Sequence, residues 1–225
     1  MGESKYSKVL TVILVIVIIA IVGLLVFLAY DYINKYNTTK QASDFVQEYQ
    51  EDITTGNQDI TESQVEGNVT LEGLDSTPTS TTTNANTTKK QYKGYSVVGT
   101  MKIPKINFEY PVLEEVSTKS LETAVVVLYP SGDNLNLPGN TVIIGHNYRN
   151  GLFFSNIKKI SNGDKIYVTD YRGKSITYEV YNIFEASSTD TSFYQRDTNG
   201  LAELTLSTCT DASNDQRTIV FAKQI

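Results

Sequence analysis

Residues 203–223 read ELTLSTCTDASNDQRTIVFAK, two alternating apolar runs separated by a polar segment. Alternation indicates β-strands, and the Thr, Asp, Ser and Asn residues between the runs indicate a turn, so the segment predicts a β-hairpin. Pairing Cys209 with Arg217 places the apolar residues of both strands on one shared face. The apolar pairs are then Leu206–Val220 and Leu204–Ala222. This register directs the apolar set into a core and leaves Cys209 beside Arg217 on the other face.

The same pattern recurs from Tyr95 to the hairpin. Short apolar or alternating runs are separated by turn signals such as Pro138-Gly139-Asn140. The predicted strands are Val97–Ile103, Phe108–Val112, Ala124–Leu128, Thr141–His146, Lys165–Thr169, Ser175–Glu185, Glu203–Thr210 and Arg217–Lys223. Phe153–Ile160 has helical spacing. These runs predict a mostly β fold, a closed eight-stranded barrel with one or two short helices, because closure removes exposed strand edges.

The N-terminal part of the chain predicts a membrane anchor. Residues 9–30 are apolar and carry no charge, a length that matches the ~20 residues a helix needs to cross a bilayer. A cleaved signal has a shorter apolar region followed by a small-residue cleavage site, so the anchor is expected to stay uncleaved. The short tail of residues 1–8, with Lys5 and Lys8, mildly favours a cytoplasmic N-terminus and an extracytoplasmic C-terminal domain.

A polar stalk is predicted between the anchor and the barrel. Residues 31–92 include a segment rich in Thr, Ser and Asn at 76–88, although Ala42–Ile53 has the four-residue spacing of a short helix. Residues 93–225 form the predicted β-barrel domain. This domain carries 13 Lys/Arg and 14 Asp/Glu, so it has no excess of basic residues, and nucleic acid is not an expected partner.

Three residues could carry chemistry in this domain. The chain has one Cys and one His, too few for a Cys/His metal site, and neither a metal nor a cofactor is expected. A lone thiol outside the cytoplasm suggests reactivity, and His146 could deprotonate Cys209 and later protonate a leaving amine. Arg217 beside the thiol could stabilise an oxyanion. The alternatives are a buried Cys that only packs, a surface or capping His, and a solvated Arg.

The motif Thr205-Leu206-Ser207-Thr208-Cys209 resembles the T-L-x-T-C signature of the sortases. The Arg in the next strand and the Gly145-His146 pair after an earlier strand also resemble that family. The stretch Gly99–Ile106, followed by Tyr110-Pro111-Val112, resembles its first hairpin, and the resemblance covers residues 95–225. It implies a sortase-like barrel and a cysteine transpeptidase with Cys209, His146 and Arg217 as the catalytic set.

The resemblance also implies substrates and partners. Sortases bind a C-terminal sorting signal of the LPXTG kind on a secreted protein, cleave it after Thr, and hold the acyl group as a thioester. They then pass it to an amine, usually a cell-wall peptide. The expected partners are therefore such secreted proteins, a cell-wall amine, and the lipid bilayer around residues 9–30. The chain has no Trp for the Asp-Pro-Trp-like plug of pilin-assembling members, so the lid-bearing pilin type is not expected.

The substrate is expected to lie along the outer face of the Cys209 strand, covered by the loop Ala186–Leu201. The expected substrate-binding residues are Thr205, Ser207, Thr208, Phe193 and Tyr194. Two other functions stay open at this point. One is a surface cysteine peptidase that releases its acyl group to water. The other is a non-enzymatic tethered β-domain, for which a large separation of Cys209 from His146 would be the sign.

Overall fold

The computed structural model describes residues 5–58 and 89–225, which form two compact units. The first unit ends at Gln41, and the second is Ala42–Ile225. The helix α1, Lys5–Gln58, contributes residues to both units. The Thr/Ser/Asn-rich part of the predicted stalk, residues 76–88, lies outside the described residues.

The first unit contains the apolar stretch predicted to be an anchor. Its large side chains are exposed around the whole helix, including Leu10, Ile19 and Phe27. Within the described part of the chain, α1 is the one helix that is long and apolar enough to cross a membrane. Apolar surface on every side of a helix is typical of a segment surrounded by lipid or by protein.

Nine strands form one sheet in the second unit. They are β1 (Gln91–Tyr92), β2 (Tyr95–Ile103), β3 (Phe108–Leu113), β4 (Val125–Tyr129), β5 (Gly139–Ile144), β6 (Lys165–Asp170), β7 (Ser175–Ser187), β8 (Ala202–Cys209) and β9 (Gln216–Gln224). Their order is β1-β2-β3-β4-β5-β8-β9-β7-β6, and β6 also pairs with β2. This last pairing closes β2–β9 into the predicted eight-stranded barrel, and the two-residue β1 pairs with β2 outside it.

Few helical segments interrupt the strands. They are the α-helix α2, Thr118–Leu121, and two 3₁₀ segments, Pro104–Ile106 and Phe154–Lys159. The second 3₁₀ segment lies within the range predicted to be helical. Its buried Phe154 and Ile157 pack into the barrel core, which explains the helical spacing of apolar residues seen in the sequence.

The hairpin of β8 and β9 has the predicted register. Cys209 pairs with Arg217, and the apolar pairs follow as Leu206–Val220 and Leu204–Ala222. These four apolar side chains lie in the main core cluster. The register is strongly specified because a slip of one residue would move this whole set out of the core.

Part of the range predicted to be a stalk is helical where the structure describes it. Helix α1 continues to Gln58, and its residues from Ala42 onward belong to the unit that contains the barrel. Phe45 and Tyr49 pack with Tyr92 in a second apolar cluster, with the rings of Phe45 and Tyr92 5.0 Å apart. This part of α1, from Ala42 onward, buries apolar surface against the sheet and so forms part of the same compact unit.

One strand pairing determines which residues meet at the end of the barrel. β5 and β8 are parallel neighbours, paired from Gly139–Ala202 to Ile144–Ser207. Parallel strands have their carboxyl ends at the same edge. The residues that leave β5 and those that end β8 are therefore neighbours, although some 60 residues separate them in sequence.

Candidate active site

Cys209 is the last residue of β8 and has its side chain on the outer face, opposite Arg217. It is half-buried and carries a free thiol. The preceding Thr208 is buried, and its hydroxyl donates a hydrogen bond of 2.6 Å to the carbonyl of Gly145. This bond ties the end of β8 to the residue before His146.

His146 follows β5 by two residues, so the predicted strand Thr141–His146 ends earlier than expected. The chain turns away at this point, because Phe154 N–H donates to the carbonyl of His146 and Asn147 pairs with Phe153. Close packing behind the turn explains Gly145. A Cβ at that position would lie 2.8 Å from Val125 Cγ1 and 2.9 Å from Phe154 Cδ2.

The three predicted catalytic residues line one cleft. Cys209, His146 and Arg217 all border a cavity of about 270 Å³ at this end of the barrel. Its apolar wall is formed by Leu121, Leu128 and Ile144. The structure therefore brings together a thiol, an imidazole and a guanidinium beside an apolar surface that could hold aliphatic side chains.

Arg217 lies on β9 with its guanidinium oriented by the chain before it. Its Nη1 donates to the carbonyls of Asn214 and Gln216. The positive charge of Arg217 also acts on Tyr194 across the cleft: burial raises the pKa of Tyr194, and Arg217 lowers it. A guanidinium has five N–H donors, so donors remain for a ligand in the cleft.

The predicted substrate-binding residues divide into two groups. Four of them line the cleft: Phe193, Tyr194, Ser207 and Thr208. The cleft is also lined by Ser188 and Asp190, which lie with Phe193 and Tyr194 in the loop between β7 and β8. Thr205 does not line it and is fully buried. Its hydroxyl donates to Asn140 Oδ1 at 2.8 Å and accepts from Arg196 Nη1 at 2.8 Å.

The loop between β7 and β8 covers the outer face of β8, which explains the burial of Thr205. Arg196 reaches back over that face, forms a 2.6 Å ion pair with Glu203, and lies 3.9 Å from the centre of the Phe221 ring. Asn140 Nδ2 donates to the carbonyls of Phe193 and Tyr194 in the same loop. These contacts fix the two aromatic residues that line the cleft.

Several residues at the site carry no motif that sequence reasoning could use. Leu128 and Ile144 are apolar residues near strand ends that line the cleft, and the sequence analysis did not single them out. Asn147 donates to the carbonyl of Cys209 at 2.9 Å, and Arg149 binds the loop after Cys209. The one sequence feature that could have pointed to Asn147 and Arg149 is that they closely follow His146.

The ring of His146 packs near Tyr148, and the charge of Glu122 acts on it. The ring centres of His146 and Tyr148 lie 4.8 Å apart. Desolvation lowers the pKa of His146 from its ordinary value, and the negative charge of Glu122 opposes this shift. Burial therefore disfavours the charged imidazolium, and the Glu122 carboxylate partly offsets this effect.

The pKa of His146 can be measured directly, because it is the only histidine and gives one titrating imidazole signal by NMR. We expect a midpoint below 6.5, and a lower one in Glu122→Gln, since that change removes the opposing carboxylate. The unfolded chain binds more protons between the two pKa values. The free energy of unfolding therefore includes a contribution from the neutral His146 imidazole. This contribution is complete above pH 6.5 and is lost as the pH falls through the pKa of His146 in the folded protein. A midpoint above 6.5, or one that Glu122→Gln leaves unchanged, contradicts this assignment.

The comparisons with known proteins all match the same family. A family model described as "Sortase domain" matches residues 101–225. Sortase A of Bacillus anthracis is 30% identical over 140 residues, which cover 62% of this chain and 62% of that protein. The chain therefore aligns with less than two thirds of the length of this relative.

Solved structures agree. The lid mutant of sortase A from Corynebacterium diphtheriae is 30% identical with a TM-score of 0.53, over 58% of this chain and 71% of that one. The sortase D5 transpeptidase of Clostridium perfringens, at 22% identity, shares the fold over 83% of this chain and 99% of that one, with a TM-score of 0.56. The family match covers more than half of the chain and includes the whole candidate active site, and so the chain belongs to the sortase family.

Proposed function

We propose that the protein is a membrane-anchored cysteine transpeptidase. It cleaves an LPXTG-like sorting signal after Thr and transfers the acyl group to a cell-wall amine. The observation that carries this proposal is the cleft bordered by Cys209, His146 and Arg217. A non-enzymatic β-domain would have no need to bring its only thiol, its only imidazole and a guanidinium to one apolar cleft.

The first half-reaction forms a thioester. The sulfur of Cys209 attacks the carbonyl carbon of the Thr in the signal, and the oxygen becomes an oxyanion beside the Arg217 guanidinium. The carbon–nitrogen bond then breaks, and the departing amine takes a proton from His146. The same residues suit a preformed thiolate–imidazolium pair and a neutral pair, in which His146 first removes the thiol proton.

The second half-reaction reverses these roles. The acceptor amine attacks the thioester carbon and gives up a proton to His146. The carbon–sulfur bond then breaks, and the thiolate of Cys209 leaves. In the ion-pair scheme the imidazole acts once as an acid, in the first half-reaction, and once as a base, in the second. In the neutral scheme it also removes the thiol proton at the start and returns it to the sulfur at the end, so in both schemes the pair returns to its starting state.

The apolar residues of the sorting signal place the peptide in the cleft. Leu121, Leu128 and Ile144 provide an apolar wall, and Phe193 and Tyr194 come from the β7–β8 loop. We assign the Leu and Pro of the signal to this surface. Ser207 and Thr208 border the same cleft, and Thr205 acts indirectly, through its bonds to Asn140 and Arg196.

Residues 9–30 anchor the enzyme in the cell membrane, with the catalytic domain on the extracytoplasmic side. Their exposed apolar side chains support the anchor, and the positive charges of Lys5 and Lys8 before it mildly favour this orientation. The partners are then secreted proteins that reach this membrane and carry a C-terminal sorting signal. The sequence has no Trp for a pilin-type plug, and on this ground we propose a type without a pilin lid.

A mass-spectrometric assay tests the proposal. The full chain in detergent is incubated with a sorting-signal peptide, with and without a short amine-bearing peptide. We expect an acyl-enzyme on Cys209 and, when amine is present, a ligated product. Hydrolysis at the same rate with and without amine, and no ligated product, would indicate a cysteine peptidase instead. No cleavage with any library of LPXTG-like peptides would overturn the proposal.

His146 supplies a further test of the mechanism. We expect His146→Ala to lower kcat at least about 10²-fold, the usual effect of losing a general acid/base. Thermal unfolding should show that the fold is kept, because the imidazole is half-buried and lies outside the main core cluster. A loss of only a few-fold would mean that another group transfers the proton.

A further inference from the structure

The loop between β8 and β9 joins the nucleophile to Arg217 and is bound by residues that follow His146. Asn147 Nδ2 donates to the carbonyl of Cys209 and to Asp211 Oδ1, both at 2.9 Å. The first bond reaches the backbone of the nucleophile itself. The residue next to the imidazole is therefore bonded directly to the residue that carries the thiol.

Arg149 makes a second set of bonds to the same loop. Its Nε donates to the carbonyl of Asp211 at 2.8 Å, and its Nη2 donates to the carbonyl of Thr210 at 3.1 Å and to Asn214 Oδ1 at 3.2 Å. The planar guanidinium suits this use, since it presents several donors in fixed directions. One side chain thus fixes three positions of the loop.

The backbone of Arg149 shows that its position is enforced. Its φ is 56°, in the left-handed region that a residue with a Cβ seldom adopts. Such a conformation is strained and persists only when surrounding contacts determine it. Here the backbone N–H of Arg149 donates to Asn147 Oδ1 at 3.0 Å, so the two residues act as one unit, which we call the loop clasp.

The third catalytic residue is connected to the same unit. Arg217 Nη1 donates to the carbonyl of Asn214, whose side chain accepts from Arg149. The loop clasp therefore reaches Cys209 through its carbonyl and Arg217 through Asn214. It begins at the residue after His146.

We propose that Asn147 and Arg149 are positioning residues that hold Cys209 and Arg217 in register with His146. This role rests on the proposed transpeptidase function. The loop residues 210–215 are polar apart from Ala212 and mostly exposed apart from Thr210, so packing alone does not fix them. A displacement of about 1 Å at reacting groups can cost about 10²-fold in rate. The apolar wall of the cleft and the β7–β8 loop lie outside the clasp, so peptide binding should survive its loss.

The experiment compares Arg149→Ala, Arg149→Lys and Asn147→Ala with a matched control in the full chain. We expect kcat to fall roughly 10- to 100-fold in the two alanine variants, with KM within about twofold. Arg149→Lys should restore part of the loss, because an ammonium can reach one of the three acceptors. The control is Lys158→Ala, which removes an exposed ion pair to the Asp211 carboxylate and leaves every clasp bond in place. It should keep kcat within about twofold.

Amide hydrogen exchange supplies a readout that does not depend on turnover. Exchange at residues 210–216 should become faster in Arg149→Ala and stay unchanged in Lys158→Ala. The inference is overturned if loop exchange is unaffected, or if the alanine variants turn over like wild type. A wild-type chain that forms no acyl-enzyme would instead refute the proposed function. The exchange data would still decide whether Arg149 orders the loop.

Discussion

Replacing Cys209 with alanine is expected to abolish acyl-enzyme formation and peptide cleavage. Cys209 is the only thiol in the chain, so no second sulfur can take its place. The measurement is the mass of the protein after incubation with a sorting-signal peptide, together with the amount of cleaved peptide. We expect no adduct and no cleavage above the rate without enzyme.

The fold should survive this substitution. The side chain of Cys209 is half-buried, and the bond from Asn147 goes to its carbonyl, which alanine keeps. A change at such a site usually alters the free energy of unfolding by about 0.5 kcal/mol or less. Circular dichroism and the thermal midpoint should therefore match wild type. More than trace activity in a folded Cys209→Ala protein would end the assignment of the nucleophile.

The hairpin shows what a single sequence can determine. Alternation and the polar turn fixed its register, because each strand has one apolar face and a shift of one residue would bury the wrong one. The structure confirms the Cys209–Arg217 pair. Strand existence followed from the same reasoning throughout the barrel, and strand bounds differ from the predictions by one or two residues in most cases.

The parts that could not be predicted depend on contacts between distant segments. The spacing of Phe45 and Tyr49 indicated a helix, yet nothing in the sequence identified Tyr92 and its neighbours as the surface they pack on. Thr205 has the alternation of an outward residue, and its burial depends on Arg196 folding back over β8. In both cases a local pattern gave the direction of a side chain, and tertiary packing decided what covers it.

The proximity of His146 and Cys209 also depends on a contact between distant segments. Their proximity follows from the parallel pairing of β5 with β8, which no local signal encodes. The family resemblance implied that the two residues belong to one catalytic set, and it did not give the strand pairing that brings them together. Reasoning from the residues alone left a capping histidine and a packed cysteine as open alternatives.

Arg217 gives the second large effect that we expect. Arg217→Ala should lower kcat on a sorting-signal peptide by about 10²–10³, as measured for the loss of one oxyanion donor. Arg217 stays protonated at physiological pH, so it can stabilise charge and cannot act as a base. Arg217→Lys should fall between wild type and alanine, because it keeps the charge and loses the planar fork.

Two controls separate this role from others. The alkylation rate of Cys209 reports whether the thiol is still accessible and reactive in each variant. Arg172→Ala removes a positive charge that is paired with Asp133, outside the cleft, and should leave kcat within about twofold. A loss confined to Arg217 variants with normal alkylation therefore indicates transition-state stabilisation.

The geometry makes this prediction more specific than a general need for charge. Arg217 is paired with Cys209 across the hairpin, and its Nη1 is already bonded to the carbonyls of Asn214 and Gln216. Those two bonds orient the guanidinium and leave its other N–H groups for the substrate oxygen. Lysine cannot be oriented in this way by two carbonyls and still present a second nitrogen to the cleft. Normal turnover in Arg217→Ala would show that the guanidinium serves only to cap the loop.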